Sequence, residues 1–296
     1  MAELNSRVGR TMPSPLFGVL VAEPAMPQRS RRRPAWPTMS RPVWMLAALA
    51  AALWPHWIYL ARRMVDGSDE PWGALALATV AALLWRDRGA LVQPTRAAVV
   101  ASAALAVMAA AAHLIAPDLA AAVVAMLALG MFLVHALQRP ATPIAVLLLL
   151  ALPVIASLQF YLGFPLRVLV AHVSSWLLWL SGLDVSAAGA SIVLGDRTVL
   201  IDAPCAGIGM LWLGSYLAAL ASHLQRADAR LTALAGVLAG ALVLLANIAR
   251  NTVLFFPESG LVHWPAWTHE AVGLAAFIAA MIPLLAFVTH RSRRTS

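Results

Sequence analysis

Long apolar runs, interrupted mainly by short arginine-bearing segments, constrain this chain more than any other feature. A helix needs about 20 mostly apolar residues to cross a bilayer core. The stretches that meet or approach this are 43–60, 71–85, 97–115, 119–137, 142–158, 206–224, 231–256 and 269–289. Only 11% of the 296 residues are charged and 61% are hydrophobic, against about 25% charged in a soluble domain. The sequence therefore predicts an all-α polytopic membrane protein with about eight transmembrane helices.

The charges set an expected orientation. All 21 basic residues are arginine, and the formal net charge is +8. In a soluble chain that balance would suggest nucleic acid, but here the arginines lie between apolar spans and read as topology determinants, so membrane lipids and not nucleic acid are the expected surroundings. A cytoplasmic N-terminus puts 16 of the 21 arginines inside, among them Arg86, Arg88, Arg96, Arg139, Arg226 and Arg230. Asp66, Asp69, Glu70, Asp184, Asp196, Asp202, Glu258 and Glu270 then fall outside. Both termini are expected in the cytoplasm. Residues 1–41, with many Pro, Ser and Arg, read as a disordered tail. Residues 42–290 form one membrane domain and 291–296 a basic tail. The first apolar stretch lacks a clear small-residue cleavage site and reads as a retained helix.

This orientation requires that 164–182 does not cross. Arg167, Ser174 and Ser181 recur every seven residues, with His172 and Ser175 near the same face, while Leu169, Val173, Trp176, Leu177 and Leu180 supply an apolar side. Such a segment can lie along the outer interface as an amphipathic helix; its length would also suit a further span. Beyond it, two β-rich runs joined by Gly195-Asp196-Arg197 predict a small extracytoplasmic β-hairpin. Pro204 separates this hairpin from a helix expected to begin at Cys205 or Ala206.

Three polar features gather at the outer ends of the last spans. The first is Asp202-Ala203-Pro204-Cys205-Ala206-Gly207-Ile208-Gly209. A cysteine at a helix N-terminus meets the positive end of the macrodipole and free N–H groups, which favour the thiolate and could receive an oxyanion. Gly207 and Gly209 would allow close approach. An isolated cysteine in an apolar chain more often serves as a small hydrophobe, so Cys205 is informative only through its company. The second feature is Asn247-Ile248-Ala249-Arg250-Asn251: an arginine within a span costs at least about 2.5 kcal/mol and is normally paired or lines a polar cavity, and Asn247 shares its face. The third is Trp267-Thr268-His269-Glu270-Ala271-Val272-Gly273, in which Thr268 can cap the last helix and His269 sits in its first turn. Nucleophile, cation and base on neighbouring helices are what acyl transfer needs: His269 to move the proton, Arg250 to stabilise an oxyanion or to pair with the thiolate. A lone cysteine gives no metal cluster or disulfide, and no cofactor is expected.

In order and spacing, Cys205-Ala206-Gly207-Ile208, Asn247-x-x-Arg250 and His269-x-x-x-Gly273 resemble the exosortase/archaeosortase family over roughly residues 152–289. The resemblance implies a membrane-embedded cysteine peptidase or transpeptidase at the outer side of a prokaryotic plasma membrane, with Cys205, Arg250 and His269 catalytic and Ala206, Gly207, Asp202, Asn247 and Glu270 supporting. It also implies partners: secreted proteins carrying a C-terminal Pro-Glu-Pro-type sorting motif, a transmembrane helix and a basic tail. The acyl acceptor would be a lipid or glycan. A rival from another class is a transporter or assembly factor with Arg250 lining a polar path, but the inner halves of the last spans show no continuous polar route.

Overall fold

The computed structural model describes residues 40–65 and 72–295. The expected N-terminal tail and Asp66, Asp69, Glu70 and Pro71 lie outside the described residues. The helices are α1 (Arg41–Ala52), α2 (Trp54–Val65), α3 (Trp72–Arg86), α4 (Arg96–Ile115), α5 (Asp118–Ala136), α6 (Thr142–Leu150), α7 (Ile155–Leu180), α8 (Ile208–Leu224), α9 (Ala229–Glu258) and α10 (Trp267–Thr295). Three strands, β1 (Val185–Ala188), β2 (Ser191–Leu194) and β3 (Arg197–Leu200), lie between α7 and α8.

The eight expected spans are not all matched by helices long enough to cross, and prolines divide two of them. Among the described residues α4, α5, α7, α9 and α10 are long and apolar enough to cross a membrane, and a sixth span results if the bent pair α1–α2 is counted as one. The first expected span breaks at Leu53 with a 64° bend, because Pro55 has no N–H to continue the helical ladder and its ring crowds the preceding turn. The Trp57 indole crosses the break and donates to the Ala50 carbonyl at 2.7 Å. The expected span 142–158 also divides. Pro153 disfavours helical backbone at Leu152, so α6 stops after nine residues; the Leu150 carbonyl instead accepts from the Trp212 indole at 3.0 Å. Helices α3 and α8, at 15 and 17 residues, are apolar but short.

Helix α7 corrects a further expectation. It is continuous over 26 residues, and its small polar face is turned inward: Ser174 and Ser175 are buried, whereas Trp176, Trp179 and Leu180 are exposed. Serines at these positions let α7 approach α9 closely, and the Ser174 hydroxyl donates to the Ile248 carbonyl at 3.4 Å. Near its other end Gln159 donates to the Ala203 carbonyl at 3.0 Å. Ser174 and Gln159 are about 22 Å apart along a helix rising 1.5 Å per residue, yet both reach the Cys205 end of the bundle. By length α7 could cross; by its contacts it lies across that end.

The β segment has three strands, one more than the expected hairpin. The order is β1-β2-β3, all antiparallel, with Ile192 opposite both Ala187 and Val199. The turns use left-handed Gly189 and Gly195 at φ of 61° and 55°. Ile192, Val199 and Ile201 pack with Val170, Leu178 and Phe255 to fix the sheet on α7 and α9. Two other cores hold the bundle: Met126, Leu133, Ile144, Leu147 and Trp212 join α5, α6 and α8, while Ala239, Val243, Met281 and Leu284 join α9 and α10.

At the far end of α8 a buried carboxylate ties two loops to the last turn of that helix. Asp87, just past α3, accepts from Arg139 at 2.8 Å and from His223 Nε2 at 3.0 Å. Its side chain is 2% exposed. Burial pushes the Asp87 carboxyl up, but the His223 bond and the Arg86 and Arg139 guanidiniums outweigh it and leave the group below its ordinary range.

Candidate active site

Helix α9 organises the site, because residues three and four apart share a helical face. Asp228 caps its start by accepting from the Leu231 N–H at 2.7 Å, and the helix then runs 30 residues, carrying Asn247, Arg250, Asn251 and Glu258 to one end. Asn247 is 1% exposed. Its Nδ2 donates to the Cys205 carbonyl at 2.9 Å, and Asn251 Nδ2 reaches the same oxygen at 3.4 Å. Asn251 also donates to the Asn247 carbonyl at 2.8 Å. These buried amides thereby satisfy one another and clamp the backbone at Cys205.

Cys205 does not open α8, as the sequence suggested. It sits in a 3-10 turn (Ala203–Ala206) whose N–H at Cys205 donates to the Asp202 carbonyl at 2.9 Å. Gly207, at φ 82°, ends that turn and serves as the N-cap of α8. The left-handed backbone favours glycine, and space requires it too, since a Cβ at Gly207 would meet the Asn247 side chain at 2.9 Å. Ala206 is buried beneath the turn, while a Cβ at Gly209 would meet nothing within 4 Å.

The thiol consequently lacks the expected dipole-stabilised thiolate. Cys205 is half-buried against the α7–sheet core. Burial pushes its thiol up, the Arg250 guanidinium pulls it down, Glu258 and Asp202 push it up again, and the net direction is upward. Alkylation of Cys205 by a small maleimide is therefore expected to accelerate only above the pH range of an ordinary cysteine, and Arg250→Ala should move that rise further upward; a rate profile like that of free cysteine would contradict this balance.

Arg250 joins the thiol to the imidazole. Its Nη2 donates to His269 Nε2 at 2.9 Å. Arg250 Nε is buried without a hydrogen-bond partner, and a Cβ at Gly273 would approach that nitrogen to 3.1 Å; the glycine of the third motif makes room for the guanidinium. His269 is the third residue of α10, as expected, but Thr268 is not its cap: α10 begins at Trp267, and the Thr268 hydroxyl donates back to the Pro265 carbonyl at 2.6 Å. On its other side His269 Nδ1 lies 3.4 Å from Glu258 Oε1. Asp202 is exposed and near enough for its charge to act on Cys205. Glu270 is exposed and is not brought into this set.

The structure thus unites Cys205, Arg250 and His269 with Asn247, Gly207, Ala206 and Asp202, and adds Asn251 and Glu258. Asn251 could have been found from its four-residue spacing to Asn247. Glu258 was hidden behind Pro257, which suggested that the helix had already ended. No group of three or more His, Cys, Asp or Glu able to hold a metal ion occurs among the described residues. Comparison with curated proteins and with solved structures returned no match. Residues 62–286, a segment containing every group just described, match the family profile described as transmembrane exosortase, and the chain belongs to that family.

Proposed function

We propose that this protein is a cysteine peptidase or transpeptidase that cleaves C-terminal sorting tails from secreted proteins at the outer face of a prokaryotic plasma membrane. The observation that carries the reading is the convergence of Cys205, Arg250 and His269, from three separate elements, on one end of the bundle. The arginine count favours that end as the extracytoplasmic one, with both termini inside. The lie of α7 across it, with Trp176 and Trp179 exposed, suits a helix at the membrane–water interface.

The chemistry follows from the geometry. Because the thiol rests protonated, a base must take its proton as Sγ attacks the scissile carbonyl carbon. In the neutral His269 ring Nε2 holds the lone pair, since it accepts from Arg250. The developing oxyanion draws the guanidinium away from the imidazole; Nε2 takes the thiol proton, and the cation moves onto the new negative charge. Collapse breaks the C–N bond, the leaving amine departs with the proton from Nε2, and a thioester remains on Cys205. An incoming amine or hydroxyl acceptor, lipid or glycan, then gives transfer; water gives hydrolysis.

The test is co-expression with a secreted protein bearing a Pro-Glu-Pro motif, a transmembrane helix and a basic tail, followed by capture of the intermediate. A hydroxylamine-sensitive adduct on Cys205, together with maleimide labelling of Cys205 from outside intact cells, is expected. Tail removal without an adduct in wild-type cells, or labelling confined to permeabilised cells, would overturn the reading.

A further inference from the structure

We propose that Glu258 is a positioning residue of this site: it holds His269 in the tautomer that leaves Nε2 free to accept a proton, and it stabilises the imidazolium formed when the proton arrives. The inference rests on the acyl-transfer reading above and deepens it.

The argument begins with donors and acceptors. A guanidinium can only donate, so the 2.9 Å contact from Arg250 Nη2 requires a lone pair on His269 Nε2. A neutral imidazole with its lone pair on Nε2 carries its proton on Nδ1. That nitrogen faces Glu258 Oε1 at 3.4 Å, slightly longer than a direct hydrogen bond and within ion-pair reach. Two neighbours of opposite kind therefore fix the ring: a donor on one nitrogen and a carboxylate on the other. With Arg250 alone, a proton on Nε2 would place two cations together. With Glu258 present, the imidazolium has a counter-ion 3.4 Å away.

The placement of Glu258 is itself over-determined. It ends α9 eight residues beyond Arg250, close to the same helical face, and Pro257 stands inside the last turn. The next residue, Ser259, is buried, and its carbonyl accepts from Arg197 of β3 at 2.7 Å. Gly260, at φ 72°, then turns the chain away. The sheet thus fastens the end of α9 and keeps the carboxylate beside α10. The charged and titratable groups around the pair are Arg250 on α9, Cys205 and Asp202 on the turn before α8, and Arg197 on β3.

The experiment measures tail cleavage by the purified full-length protein in detergent or nanodiscs, using a tail-bearing peptide and the variants Glu258→Gln, Glu258→Asp and Cys205→Ala. In Glu258→Gln, kcat should fall by about 10-fold with KM nearly unchanged, less than the roughly 10²–10⁴-fold that general acid–base catalysis itself contributes, because Glu258 acts only through His269. The acid limb of the kcat/KM profile should move to lower pH, because the imidazolium has lost its counter-charge. Glu258→Asp should restore part of kcat and return the limb toward the wild-type position. A wild-type kcat and an unmoved acid limb in Glu258→Gln, with Cys205→Ala inactive, would overturn the role of Glu258 alone. Cleavage persisting in Cys205→Ala would instead remove the acyl-transfer reading beneath it. A purely structural role would change KM or monodispersity on size exclusion and leave the acid limb in place, and that result also overturns the proposal.

Discussion

Tail processing is expected to fall by at least about 10⁴-fold in Cys205→Ala, the scale on which removal of a catalytic nucleophile acts when the other groups cannot substitute for it. The size of the effect follows from the surroundings of the thiol. His269 and Arg250 engage each other directly at 2.9 Å, and neither can form the acyl bond in place of sulfur. Cys205→Ser should lose nearly as much, because burial pushes even the thiol up, and a hydroxyl is a far weaker acid in the same half-buried turn. The measurement is the ratio of processed to full-length tail protein on immunoblots, with variant abundance checked in the same membranes. Residual processing above one-hundredth of wild type in Cys205→Ala would remove Cys205 from the chemistry.

The second large effect concerns stability at the opposite end. Asp87→Ala is expected to destabilise the fold by about 3 kcal/mol, because deleting the buried carboxylate leaves its ion-pair and hydrogen-bond partners without compensation. The stranded groups are Arg86 and Arg139, whose side chains are 49% and 26% exposed, and His223, which is 1% exposed; the histidine N–H carries most of the penalty, since the arginines can turn toward solvent. In thermal denaturation in detergent this corresponds to a midpoint lower by roughly 5–10 °C for a chain of this size. Asp87→Asn, which keeps the shape and an acceptor oxygen, should lose less. The folded-state shift of Asp87 is downward, so its contribution is present above the ordinary carboxylate range and is lost as pH falls through the depressed folded value. The difference between wild type and Asp87→Ala should therefore shrink in acid. An equal difference at neutral and strongly acidic pH would mean that packing alone, and not the charge, holds the two loops to α8.

Cys205, Arg250 and His269 stood out in the sequence because each residue type is conspicuous against an apolar background. Arg250 interrupts a long hydrophobic run, and the chain has one cysteine. What could not be read was decided by contacts distant in sequence. The four-residue strand β1, Val185-Ser186-Ala187-Ala188, has weak intrinsic β preference and forms because β2 pairs with it. The serines of α7 looked like a solvent-facing stripe, but in a bilayer small polar residues also serve as close-packing surfaces between helices, and that use prevailed. Pro153 and Pro55 were visible, yet the apolar character around them argued for unbroken spans; backbone geometry overrode hydropathy at both places. At Pro257 the reverse happened, and α9 continued two residues beyond the expected end at 256, bringing Glu258 beside His269.

The amide clamp on Cys205 has a consequence for how this site can be studied. Asn247 and Asn251 grip a main-chain oxygen, an atom that every amino acid possesses. The shape of the turn is thus indifferent to the side chain it displays, and α9 holds position 205 through the main chain. An inert residue at position 205 should leave a correctly folded receptor able to hold an uncleaved tail long enough for its bound geometry to be captured. By the same logic the family could exchange the reacting group at this address without redesigning the scaffold that presents it.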